Sequence, residues 1–121
     1  SYENTWDEIK GIRVKTDDET VEPGDFGRIT FDGVDKETSK VVVSDENYPI
    51  RFGAKSMFIE DHVLGQKVGK KEYEFDHTYP DNYTQAPALS GKTLAFKVKV
   101  DKVKAKINTS SRVVEGASAN G

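Results

Sequence analysis

The sequence predicts an α+β fold, an antiparallel sheet of four to six strands curled around one short helix. Three observations carry that expectation. Apolar side chains alternate with polar ones at a period of two through most of the chain, as half-buried strands require. Clusters of Gly, Pro, Asp and Asn interrupt the alternation at short intervals, as turns between antiparallel strands do. Only one short stretch has the spacing of a helix.

Pro23-Gly24-Asp25 opens the first clear strand, in which Ile29 and Phe31 share a face, and Asp32-Gly33-Val34-Asp35 is expected to turn the chain after it. Tyr48, Ile50 and Phe52 share a face in the next strand. The helix is expected over residues 59–64. There Ile59, Val63 and Leu64 fall on one side, Glu60 and Asp61 suit the positive N-terminal end, and Gly65 stops it. Tyr73, Phe75 and His77 then alternate with Glu72, Glu74 and Asp76. A long loop from Tyr79 to Gly91 leads to the last strand, where Leu94, Phe96, Val98 and Val100 alternate with Ala95, Lys97, Lys99 and Asp101. Val103 falls one residue out of phase, which predicts a bulge.

A chain of 121 residues suits one domain that buries about two-thirds of its unfolded surface. Residues 20–107 carry the alternation and form the expected domain. Residues 1–19 read as a polar, acidic flank with Tyr2, Trp6, Ile9, Ile12 and Val14 as possible anchors. Residues 108–121, rich in Ser, Gly and Ala, read as a disordered tail. No apolar run reaches the ~20 residues of a membrane span, and none has the form of a signal peptide.

Composition excludes several chemistries. The absence of cysteine removes disulfides, thiolate catalysis and cysteine-held zinc, and suits a reducing compartment. The net charge of −3 argues against nucleic acid, since Lys97, Lys99, Lys102, Lys104 and Lys106 read as the solvated outer face of a strand. Two histidines are too few for a metal site. His77, on an apolar strand face, reads as a core imidazole, and His62 as solvated. No nucleophile elbow or phosphate loop is present, and nothing in the sequence brings Asp61, Asp76 and Asp81 together as a carboxylate pair. What remains is aromatic: six Phe, five Tyr and one Trp, several placed to fill a core or rim a cavity.

Several segments resemble the FKBP-type peptidyl-prolyl isomerase domain of bacterial trigger factors. Residues 59–69, Ile-Glu-Asp-His-Val-Leu-Gly-Gln-Lys-Val-Gly, are similar to its short helix and glycine-spaced turn. Tyr79-Pro80-Asp81-Asn82-Tyr83 resembles its Phe-Pro-acid-acid-Tyr. Leu89-Ser90-Gly91-Lys92 and Phe96-Lys97-Val98-Lys99-Val100 resemble its last loop and strand, and Val21 to Gly33 its opening strand. The likeness covers residues 21–104. Three differences accompany it. The family's Pro-Gly before the pocket floor is missing, Lys40 and Val41 stand where it has an aromatic and an acid, and His62 replaces a helix glycine.

The resemblance implies an FKBP-like twisted antiparallel sheet wrapped around the helix. It also implies a substrate cleft lined by Phe31, Tyr48, Met57, Phe58, Ile59, Tyr83 and Phe96, with Ile59 at its floor. The activity implied is cis–trans isomerisation of X–Pro bonds in nascent or unfolded chains, in the cytoplasm, within a ribosome-associated chaperone. No acid, base, metal or cofactor is expected. The ribosome-docking domain and helical cradle of such a chaperone are expected to lie outside this chain, so ribosome binding is not expected of it. The differences imply a reshaped cleft of reduced activity, and a non-catalytic peptide-binding module on the same fold is the alternative.

Overall fold

The central strand of the sheet is the last in sequence. In the computed structural model, which describes residues 11–107, the elements run β1 (Ile12–Val14), β2 (Phe26–Asp35), β3 (Val41–Arg51), α1 (Ile59–Val63), β4 (Glu72–Thr78), a 3-10 turn (Pro87–Leu89) and β5 (Thr93–Lys106). The expectations for Tyr2, Trp6, Ile9 and the tail 108–121 lie outside the described residues. Among the described residues the sheet is antiparallel with five strands, accompanied by one short α-helix. β2 pairs with one edge of β5 and carries β3 on its outer side. Along the other edge of β5, β4 pairs with the first half and β1 with the end.

The alternation in β5 explains why it is central. Leu94, Phe96, Val98 and Val100 are all buried, and the burial resumes at Val103 after a one-residue shift. That shift is the expected bulge: Gly27 pairs with Val103 but Ile29 with Val100, so β5 carries one extra residue. Gly27 is needed there, because a Cβ would come within 2.5 Å of the Lys102 carbonyl oxygen. The core these strands close over includes Val21, Ile29, Ile50, Phe52, Ile59, Val63 and Val68.

Two local readings of the sequence are corrected. Asp32-Gly33-Val34-Asp35 does not turn; β2 runs through it, and the chain reverses between Lys36 and Lys40. Gly33 serves packing instead. It is the cross-strand partner of Phe96, and a Cβ there would sit 2.9 Å from the ring. The second correction concerns residues before position 20. β1 pairs with β5 although all three of its residues are exposed, because strand pairing uses backbone groups and needs no apolar side chain. Lys15 is buried, and its ammonium lies 2.7 Å from the buried Asp25 carboxylate while also donating to the Thr20 carbonyl. Asp25 accepts the Glu22 amide as well, so the turn before β2 is pinned by a polar knot rather than by its sequence alone.

Helix α1 is too short to be stable alone. Its N-cap, Phe58, makes no side-chain cap. Ile59 and Val63 anchor it to the core without solvent contact, and Glu60 ties it to the preceding loop.

Candidate functional site

The concentration of aromatic rings lies where α1, β4 and β5 meet. Phe96 is at its centre, 2% exposed. Register puts Phe75 of β4 directly beside it, the two rings stacked at 5.7 Å. From β2, Phe31 approaches at 6.4 Å, and Tyr48 of β3 meets Phe31 edge-on at 6.0 Å. From the start of α1, Phe58 stands edge-on to Phe96 at 5.1 Å.

Phe58, like Phe96, meets four other rings. It stacks face to face on His77 at 3.6 Å with the planes 3° apart, and it meets Phe75 and Tyr79 edge-on at 6.2 Å. Tyr79 in turn contacts Tyr83 at 5.0 Å. Tyr83 sits half-buried on the loop after β4, its amide donating to the Ser90 hydroxyl at 2.9 Å.

The seven residues expected to line a cleft therefore divide. Phe31, Tyr48, Phe58, Phe96 and Tyr83 belong to one chain of ring contacts. Ile59 is in the same core with no solvent contact, and Met57 packs at its margin. Phe31, Ile59 and Phe96 are buried, Tyr48 is exposed, and Met57, Phe58 and Tyr83 are half-buried. Among these rings Phe58 stands between Phe96 on one side and Tyr79, which leads to Tyr83, on the other.

Other contributors were less visible in the sequence. Phe75 and Tyr79 complete the ring cluster; the phase of Tyr73, Phe75 and His77 puts Phe75 on the inner face, but the register that sets it beside Phe96 is a long-range property. His77 is half-buried on that inner face. Its pKa is lowered by burial first and by His62 second, so the neutral imidazole is favoured against Phe58. His62 is exposed as expected, yet its ring stacks on Phe75 at 3.6 Å.

Glu60 shapes the edge of the site. It is 1% exposed, and its carboxylate accepts the amides of Gly53, Lys55, Ser56 and Met57 together with the Ser56 hydroxyl, at 2.9–3.2 Å. Burial opposes the charge, but these donors outweigh it and hold the carboxyl below its ordinary range. One carboxylate thus fixes the loop that carries Met57 and Phe58. Across the site, the buried Asp35 carboxylate takes a 2.8 Å bond from Lys92 and another from the Glu37 amide, joining the β2–β3 turn to the start of β5.

Among the described residues no group of three or more His, Asp or Glu could hold a metal, and no helix is long and apolar enough to cross a membrane. The arrangement is a cluster of aromatic rings, buried at Phe31 and Phe96 and half-buried at Phe58, Phe75 and Tyr83.

No protein-family model matches the chain. Its sequence is similar to trigger factor from Geobacillus kaustophilus, 42% identical over 96 residues, covering 77% of this chain and 22% of that protein. Trigger factor from Geobacillus thermodenitrificans is also 42% identical, covering 72% and 20%, and that from Halothermothrix orenii is 38% identical, covering 75% and 21%. The chain spans about a fifth of the length of these curated relatives. A solved trigger factor chaperone, described for promiscuous substrate recognition in folding and assembly, superposes with a TM-score of 0.52 at 20% identity, over 88% of this chain and 23% of that one. This likeness extends to the fold.

Proposed function

This chain carries a domain homologous to a segment of trigger factors, and from that premise we propose that it is an FKBP-type peptidyl-prolyl isomerase domain of a cytoplasmic folding chaperone. Its substrates are X–Pro bonds in nascent or unfolded chains, and ribosome contacts belong to other parts of such a protein. The observation that carries this reading is the ring constellation around Phe96, drawn from four strands, the start of α1 and the Tyr83 loop.

The chemistry asks for little else. Rotation about X–Pro faces a barrier of ~18–20 kcal/mol set by amide resonance. The planar amide is more polar than the twisted one, so a dry aromatic wall favours the twisted form relative to water. Each ~1.4 kcal/mol of that preference is tenfold in rate. Phe31, Phe96 and Tyr83 supply the wall, and Glu60 holds the loop beside it in one shape.

A second reading, a peptide-binding module without turnover, is favoured by the departures from the family pattern: Lys40 and Val41 replace the rim aromatic and acid, and the Pro-Gly before Ile59 is missing. Exchange NMR on a short hydrophobic-Pro peptide separates the two. Faster cis–trans exchange supports the isomerase; shift changes at the cleft without faster exchange support the binding module.

A further inference from the structure

We infer that Phe58 is a plug in this cleft, a side chain that occupies the space of a prolyl ring and must swing out before substrate enters. The inference rests on the cleft reading above and concerns how that cleft is regulated. Its basis is a mismatch between composition and access. The residues that would receive an apolar ligand, Phe31, Ile59 and Phe96, are 7%, 0% and 2% exposed. Of the four rings around Phe96, Phe58 has the shortest centroid distance, 5.1 Å, and itself remains half-buried. Phe58 thus occupies the space beside Phe96 that an apolar ligand would need.

Phe58 is also held in a manner that can be released. Its four ring partners, Phe75, His77, Tyr79 and Phe96, grip it by stacking and edge contacts and not by hydrogen bonds. A Phe side chain moves between staggered wells without backbone change. Phe58 also lines a surface hollow of about 350 Å³ with Lys55, Ser56, Met57 and Asp61, which gives the ring somewhere to go. The backbone at this point stays put, because the Glu60 carboxylate binds the amides of Ser56 and Met57 just before it. The hinge is fixed and the side chain is the moving part.

A plug has a thermodynamic consequence. Apparent affinity for an X–Pro peptide is reduced by the fraction of molecules with the ring swung out. A prolyl ligand also brings its own ring to contact Phe96 and Tyr79, so it replaces what Phe58 gives up.

The test is NMR titration of the full chain with a short Leu-Pro-Phe-containing peptide, comparing wild type, Phe58→Ala and Phe58→Leu. We expect the same cleft amides, at Phe31, Tyr83 and Phe96, to shift in all three, with Phe58→Ala binding at least tenfold tighter than wild type and Phe58→Leu in between. Phe58→Leu retains most of the apolar bulk and keeps the series readable should Phe58→Ala unfold. Peptide binding at those amides with equal or weaker affinity in the variants overturns the plug and leaves the cleft standing, Phe58 then being part of its wall. No shifts at those amides in any of the three overturns the cleft itself and the plug with it.

Discussion

Gly33 and Phe96 face each other across β2 and β5, and the ring lies so close that a Cβ on residue 33 would come within 2.9 Å of its Cζ and 3.1 Å of the neighbouring Leu94 Cδ1. The aromatic centre of the site therefore depends on a missing side chain. Gly33→Ala adds one methyl group to a filled core and should destabilise the fold by about 1–3 kcal/mol. Urea unfolding measures it. A neutral result would show that Phe96 can shift freely, contrary to its tight placement.

Phe96→Ala removes the ring on which Phe31, Phe58 and Phe75 converge. The expected loss is ~3–5 kcal/mol, so any fall in activity would be inseparable from unfolding. Its use is as a stability probe: a loss below about 1 kcal/mol in a denaturant series would show that the rings pack loosely.

Glu60 should make the fold acid-sensitive. Its pKa lies below the ordinary 4.5, so the charged carboxylate favours the folded state. That contribution is complete above the unfolded value and disappears as the pH falls through the lower, folded one. Glu60→Gln keeps one accepting oxygen and turns an NH2 toward amide donors, leaving at least one buried donor unpaired at a cost of ~1–3 kcal/mol. The variant's melting temperature should fall at neutral pH and vary less with acid than the wild type's. Parallel pH profiles for the two would remove Glu60 from this role.

Lys15 tests where the domain begins. Its partner Asp25 is buried, and removing the ammonium leaves a carboxylate held by one backbone amide. Lys15→Ala should cost ~3–5 kcal/mol, measured by thermal or chemical unfolding. A change within about 0.5 kcal/mol would return residues 11–19 to the status of a flank.

The strands were legible because period two is a local property. Ile29 with Phe31, Ile50 with Phe52, Tyr73 with Phe75 and the Leu94–Val100 series all face inward, and the slip at Val103 gave away the bulge. β1 showed only as Ile12 and Val14 among the anchors of the flank and not as a strand, since its side chains are exposed and it pairs with residues 104–106 through backbone groups. Gly33 misled because one glycine can mark a turn or make room for a ring, and only the partner strand decides. The same limit governs the site. Phe31, Phe58, Tyr83 and Phe96 were singled out only through the family resemblance, because alternation cannot tell a ring that lines a cavity from one that fills it. The stacking of Phe58 on His77 is long-range geometry, set by how the start of α1 meets β4.

The most direct test of the isomerase reading is turnover in Tyr83→Ala against wild type, on a hydrophobic-Pro peptide, with melting temperature measured beside it. Tyr83 is half-buried on a loop, and its ring contact within the site is with Tyr79, so its removal disturbs little packing. The predicted result is an active wild-type domain whose turnover falls clearly in Tyr83→Ala while the melting temperature barely moves. An active wild type with turnover intact in Tyr83→Ala would place the cleft elsewhere, and a wild type that leaves exchange unaccelerated would contradict the isomerase itself.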